Sequence, residues 1–568
     1  MNMKKITLFI IAILIAMPIF PCTNLIITKG ASKDGSVMVT YAADSHTRYG
    51  SLVHYPAMKH KNGSMRTILE WGKGTYLGEI PEAPYTYNVV GNINEHQLLI
   101  GESTWGGLEE MRDPQGILDY GSLMYICLQR CTTAREAIKL FVELVDKYGY
   151  ASSGESISFA DPNEAWILEI ISKKPEYYQI TGHNTRDIKK VNSNRGAVWV
   201  AVRIPDGYIS AHANCARITT FPQNDPENCI YSPDVISYAR EQGLYEGKNV
   251  DFSFADTYCP LDYSAMRACE SRVWSFFRKH GAEDMDKYID HITGENPKNR
   301  LPLYVLPKES LSVKDVADMM RDHFEDTVLD MRYDIGAGGH ELPYRWRPMT
   351  VKVDDKEVFN ERAIATQQTG FWFVGQCRSW LPDEIGGLLW FGVDDAATSP
   401  LTPVYASSTE ISEHYSVSNG NMLEYSPTSM FWLQNRIAQF AYLRYNQIAP
   451  EIRDTIDVYE NQIIAEISSI DKQAYEIFNK LGKKEISKKE KEKVAKLLTE
   501  FSINQASILF NKWQKFDHYL LVKYIDGNIK RQDDYGEFIH NGHCDSIPVS
   551  PTYGGYSDYF KKAMVNEL

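Results

Sequence analysis

Two periods of apolar spacing alternate along this chain, and the first clear segment is Cys22-Thr23-Asn24-Leu25-Ile26-Ile27-Thr28, which reads as a strand. A turn-rich stretch over 30–36, with an Asp34-Gly35 pair suited to positive φ, leads to a second apolar run over 37–42. The two predict a hairpin, and in a hairpin the far end of the second strand returns beside the start of the first, so Asp44 approaches Cys22. A further strand-like segment spans 89–102. The spacing then predicts a helix over 120–130. A second helix, opened by the capping box Thr133-Ala134-Arg135-Glu136, runs to about 148 with Ala137, Ile138, Phe141, Leu144 and Val145 on one face. Strands return at 156–159 and 165–171 around Asp161-Pro162-Asn163-Glu164, and at 197–204 and 208–211 around Pro205-Asp206-Gly207. Strands, a helical layer and more strands imply an α+β protein with sheets packed face to face and helices outside.

The later chain carries a helix capped by Ser312 and running to about 324, then apolar runs over 371–377 and 387–393 that suit buried strands. The glycine-rich 336–339 with His340, near Tyr344, Trp346 and Trp380, reads either as a cleft wall or as a surface loop, and it lacks the flanking elements of a phosphate loop. From about 429 the pattern becomes that of long helices, with Phe431, Ile437, Phe440, Ala441 and Tyr445 at helical spacing and a lysine-rich face over 483–496. The organisation expected is a removed segment 1–21, a main domain 22–428, a helical appendage 429–531 and a loop-like tail 532–568.

The start of the chain changes the meaning of the first strand. Lys4 and Lys5 precede an apolar run over 6–19, the layout of an export signal and too short for a comfortable membrane span. Ile19 and Pro21 stand where a signal enzyme prefers small residues, so removal involves either a nearby cut with trimming or autocatalysis. A cut before Cys22 would leave one residue carrying both a thiol and a free α-amine, a nucleophile beside a base. The alternative is a lipid-attachment cysteine. Bulky Phe20, rigid Pro21 and the direct entry into an apolar strand favour the nucleophile. The location expected is periplasmic or extracellular.

With 568 residues, 43% of them hydrophobic, the chain can bury a large core. A net charge of −14 argues against nucleic acid or an acidic membrane surface as partner. Nine cysteines match no zinc spacing, and the odd number leaves at least one unpaired, for which Cys22 is the candidate. Cys127 and Cys131, one helical turn apart, read as core. Four polar residues are candidates for chemistry. Asp44 would hold the new α-ammonium or cap a loop. Asn94 and Asn214 would donate to an oxyanion or satisfy local backbone. Arg272 would lower the thiol pKa or pair at a surface.

Taken together, the opening Cys22 to Ile27, Lys33-Asp34-Gly35-Ser36, Asn94-Glu95-His96-Gln97, Asp119-Tyr120-Gly121, Gly154-Glu155-Ser156, the run from Asn214 to Ile218 and Arg272-Val273-Trp274 resemble the dipeptidase A and secernin family of N-terminal-nucleophile cysteine peptidases. The resemblance runs from Cys22 to about Tyr445. It implies a four-layer αββα sandwich, Cys22 as nucleophile, Asp44, Asn94, Asn214 and Arg272 at site positions, and hydrolysis of dipeptides through a thioester, with neither metal nor other cofactor. Such relatives often carry an Arg shortly before the Asp matched by Asp44, where this chain has Tyr41. The partners expected are small dipeptides. Assembly into a homo-oligomer is left open.

Overall fold

A computed structural model describes residues 22–181, 188–345, 350–354, 356–359, 361–479, 487–540, 542 and 555–566. Segment 1–21, on which the export reading rests, lies outside them, as do Trp346 and Cys544.

Cys22–Ile27 is buried at every position, because it is an interior strand covered on both faces, and such a strand loses the apolar–polar alternation. It lies between Ile209–His212 and Val37–Asp44 in a seven-stranded sheet that continues through Thr369–Cys377, Gly387–Val393 and Thr402–Tyr405, with Tyr304–Val305 at the other edge. The expected hairpin is present, antiparallel, with Cys22 opposite Ala43. A second sheet of eight strands is built around Leu99–Trp105, Gly154–Ala160, Ala165–Ser172 and Ala197–Arg203, also antiparallel. Across Pro205-Asp206-Gly207 the chain does not fold back as a hairpin: Ala197–Arg203 lies in the eight-stranded sheet and Ile209–His212 in the seven-stranded one. This short connection ties the layers together next to the first strand.

The sheets meet through the first hairpin on one side and Leu99–Trp105 and Gly154–Ala160 on the other. Their approach is closest at Gly101, where a Cβ would fall 2.3 Å from Asn24 Oδ1, so only glycine fits there. His212 bridges the layers, its two ring nitrogens hydrogen-bonded to Ser103 Oγ at 2.6 Å and Ser158 Oγ at 2.7 Å. Burial, with help from Arg217, pushes this imidazole down to about 3, so it is a neutral bridge at ordinary pH.

Helices Tyr120–Arg130 and Ala134–Tyr148 pack Leu123, Ile126, Ile138 and Phe141 against Ile100, Ile157, Phe159 and Leu168 of the eight-stranded sheet. Thr133 caps the second helix by accepting from Glu136 N. The Glu136 carboxylate reaches Thr132 rather than closing the expected box. On the seven-stranded sheet, Ser271–His280 packs beside Ile209–His212 and Val313–Met319 beside Thr369–Cys377. The latter helix stops at Met319, short of the expected 324, and Arg321, Asp322 and His323 beyond it are buried as part of polar networks.

The segment expected to be one strand over 89–102 is three: Val89–Val90, Ile93–Asn94 and Leu99–Trp105. Positive φ at Gly91 and Gln97 breaks it into turns. Helices Met430–Leu443, Tyr445–Asn479 and Lys488–Tyr524 share one apolar cluster with the seven-stranded sheet, and the last packs along Thr402–Tyr405. The tail, expected to be loop-like with little regular structure, contains the helix Asp558–Asn566. Just before it, Tyr556 packs on His340 with ring centroids 5.4 Å apart, and Ser557 N donates to Gly339 O, so the glycine-rich loop docks the tail. Among the described residues no helix is long and apolar enough to cross a membrane.

Candidate active site

Every polar atom of Cys22 is held by a different part of the chain. Its backbone N–H donates to Asn214 Oδ1 at 2.8 Å, its carbonyl accepts from Arg272 Nη1 at 2.8 Å, and its thiol lies 3.6 Å from Glu102 Oε1 and 3.8 Å from the Tyr41 hydroxyl. The residue is only 2% exposed. Burial first, then the Glu102 and Asp44 carboxylates, hold the thiol well above its usual range, so the sulfur is neutral until a base takes its proton.

Asn214 follows the strand Ile209–His212 and takes a left-handed backbone, φ 56°, which Asn tolerates better than most residues. Its orientation is fixed by chemistry. Cys22 N and Arg272 Nη2 are both donors, so the atom facing them at 2.8 and 2.9 Å is the amide oxygen, and Nδ2 is committed to Thr104 O at 2.6 Å. Asn214 is therefore a holder of the Cys22 nitrogen, and the oxyanion role expected from its position is not the one this geometry provides.

Arg272 is the second residue of helix Ser271–His280, which follows directly on the π-helical turn Met266–Glu270, an irregularity that often marks functional sites. Its guanidinium spans Cys22 O, Thr23 Oγ1 at 2.8 Å and Asn214 Oδ1, with Nε on Ala268 O at 2.6 Å. It fixes the backbone around Cys22, where the sequence suggested a counter-charge for sulfur. Burial and the nearby Arg362 draw its pKa down to about 9.

Asp44 reaches the Cys22 end of the hairpin as expected, at a register shift after Ala43. Its carboxylate is paired with Arg362 and accepts from Thr369 Oγ1 at 2.6 Å, while its backbone N–H points at the Cys22 sulfur and favours the thiolate. Burial raises the Asp44 pKa against the pull of Arg362. Asn94 is the residue the structure does not bring in. Its Nδ2 donates to Leu128 O and Cys131 O, and its Oδ1 accepts from His96 N and Leu98 N, which uses the whole amide to tie a turn to the end of helix Tyr120–Arg130.

The sulfur has neighbours beyond the candidate residues, one of them noted in the sequence only as a departure from the resemblance. Tyr41, standing where the resemblance expects Arg, donates to Glu102 Oε1 at 2.5 Å. Glu102 and Glu155 are both fully buried, and Glu155 Oε1 accepts from Thr104 Oγ1 at 2.8 Å. Burial raises both carboxyls, Glu155 further because of the charge on Glu102, so the pair retains a proton. A signal was available: a glutamate inside a buried apolar strand, as in Leu99-Ile100-Gly101-Glu102, is rare without a task. Arg362, more than three hundred residues after Asp44, offered no local signal.

The eight described cysteines, Cys22, Cys127, Cys131, Cys215, Cys229, Cys259, Cys269 and Cys377, are all free thiols. Asp318, Asp457 and Glu460 bring carboxylate oxygens within 4.8 Å of one another, the spacing of a metal site. Lys314 Nζ lies 2.5, 2.7 and 3.9 Å from the three, so an ammonium already stands where a cation would bind.

Among known proteins, the profile of peptidase family C69 matches residues 21–457. The match begins one residue before Cys22 and ends inside helix Tyr445–Asn479. The chain is 23% identical over 423 residues to a probable dipeptidase of Salmonella dublin, covering 71% of this chain and 85% of that protein. It is 23% identical to a probable dipeptidase of Latilactobacillus sakei, covering 75% of this chain and 81% of that protein. It is 22% identical to a probable dipeptidase B of Streptococcus pyogenes serotype M1, covering 82% and 88%.

Proposed function

Because this chain belongs to peptidase family C69, we propose that it is an exported cysteine dipeptidase of the N-terminal-nucleophile kind, with Cys22 as the first residue of the working enzyme. The observation that carries the reading is the separate holding of the two reactive atoms of one residue: nitrogen on Asn214 Oδ1, sulfur beside Tyr41 and Glu102. Facing antiparallel sheets with helices outside each fit the four-layer αββα arrangement of that class, with 429–531 as an added helical block.

Once the bond before Cys22 is cut, its nitrogen becomes an amine with a reference pKa of about 7.7–8.0, near that of a thiol at about 8.5. Asn214 Oδ1 accepts one amine proton and leaves the lone pair for the thiol. The amine takes the thiol proton, the sulfur attacks the peptide carbonyl, and the resulting ammonium protonates the departing nitrogen. Water then hydrolyses the thioester and restores the thiol. Arg272, through the Cys22 carbonyl, keeps the new terminus in place during both steps. Lipid attachment is less compatible with this site, since the sulfur is buried between the layers and an acyl chain would have to displace Tyr41 or Glu102.

Cys22→Ala is expected to lower turnover of an unblocked dipeptide by about 10⁴-fold or more while leaving the melting temperature within a few degrees. An alanine variant that turns over at the wild-type rate would remove the proposal.

A further inference from the structure

Beside the buried site the surface opens into a cleft of about 230 Å³ lined by Thr47, Arg48, Tyr49, Ser51, Val417 and Asn421, among others. Arg48 is its cation. The guanidinium lies over the Trp71 ring, 5.1 Å from the centroid, and has neither a carboxylate nor a hydrogen-bond acceptor among the described residues. Its stem is held by Gly370, where a Cβ would fall 2.5 Å from Arg48 Cγ, and Gly370 adjoins Thr369, which binds Asp44. The cleft and the Cys22 site therefore share a wall. Half-buried Tyr120 is near both, its hydroxyl feeling the charges of Glu102, Glu155, Cys22 and Arg48 together.

At the inner end the Glu102 and Glu155 carboxyls are buried and hydrogen-bonded to each other, their Oε2 atoms meeting no donor from the rest of the fold, while Glu102 Oε1 is engaged by Tyr41 and the thiol. A cation with no anion at the mouth and a buried carboxyl pair met only by its own shared proton at the base are complementary to a short zwitterion. In a dipeptide the ammonium nitrogen and the scissile carbonyl carbon are bonded to the same Cα. A sulfur in reach of that carbonyl is thus close to the ammonium, and Glu102 Oε1 is 3.6 Å from the sulfur. The carboxylate of a two-residue peptide lies no more than roughly 7 Å further out.

We propose that Arg48 binds the substrate's α-carboxylate while Glu102, backed by Glu155, receives its α-ammonium, so that the cleft selects peptides of two residues with both ends free. This rests on the dipeptidase reading and adds to it the groups that count residues. Arg is the suitable cation, because a planar fork stacked on an indole meets a carboxylate with two parallel hydrogen bonds. The ammonium, with three donors, adds to a carboxyl pair that otherwise has only its own proton to share.

The test uses processed enzyme, one unblocked dipeptide, its C-terminal amide and its N-acetyl form, with wild type and Arg48→Gln. Wild type should lose about 100-fold in kcat/KM on either blocked form, chiefly through KM for the amide. Arg48→Gln should lose about 100-fold on the dipeptide yet cleave the amide at the wild-type rate, which also shows that the variant is folded. An equal loss on dipeptide and amide, or no loss on the dipeptide, would overturn the role of Arg48. Full wild-type activity on the N-acetyl form would overturn the role of Glu102. If wild type cleaves the dipeptide, the dipeptidase reading stands whichever way Arg48→Gln behaves; if it cleaves none, both fall.

Discussion

Where the long helices join the seven-stranded sheet, Asp318, Asp457 and Glu460 are interleaved with Lys314, Arg321 and Arg453, and each carboxylate lies within 3.1 Å of at least one cation. Around Cys22 the balance differs: Glu102 and Glu155 crowd one another out of water, and the cation Arg48 stands in an open cleft. Both regions bury charge, and they bury it for different ends. A network that neutralises itself holds parts of the fold together, whereas one left with opposite charges apart is poised for something that brings the complementary ends.

The sharpest break of the comparison comes from Glu460→Ala. Buried Arg321 would then lose its partner at 2.5 Å and keep Asp318 at 3.1 Å, which should cost about 3 kcal/mol of stability by urea titration while kcat/KM of the surviving folded enzyme is unchanged. A large loss of turnover in folded Glu460→Ala protein would mean that the two regions are coupled. Asn214→Gly comes next. Glycine keeps the left-handed backbone at no strain but removes the amide that holds the Cys22 nitrogen, so kcat/KM should fall about 100-fold with only a modest change in the unfolding midpoint. Unchanged turnover would show that the nitrogen does not need that support.

The smallest effect concerns the neutral bridge between the sheets. The folded pKa of His212, about 3, lies below its unfolded value of about 6.5, so the unfolded chain binds the extra proton between those limits and stability is lost as pH falls through 6.5 toward 3. By pH 5 the loss from this residue should reach about 2 kcal/mol. Urea midpoints at pH 7 and pH 5 should show His212→Gln losing that much less than wild type, and equal losses would contradict the buried neutral bridge.

What could be read beforehand followed from locality. Cys22 and Asp44 meet because a tight turn fixes the register of one hairpin, a relation of about twenty residues written in period-two spacing. Helices Tyr120–Arg130 and Ala134–Tyr148 were legible from caps and periodicity. Asn214 and Arg272 were candidates from their place beyond a strand and at a helix start or loop, with the resemblance adding weight, and their geometry changed the roles assigned to them. Asn94 and Asn214 look alike in sequence because an amide can face either its own turn or a distant strand. Only packing decided that the first ties a turn to a helix end and the second holds Cys22. Glu102, Glu155 and Arg362 reach the sulfur or its neighbours by pairing between distant segments, which no local pattern encodes. The helix Asp558–Asn566 went unread because it is one short amphipathic stretch beyond a loop-like composition.

The central claim is that nitrogen and sulfur of Cys22 act together at a chain terminus. The most direct test is the mass of the N-terminal peptide from purified protein that turns over dipeptides. The account predicts a peptide beginning with Cys22, with an unmodified α-amine and thiol. Active protein that begins at any other residue, or carries an adduct on that sulfur, would contradict it.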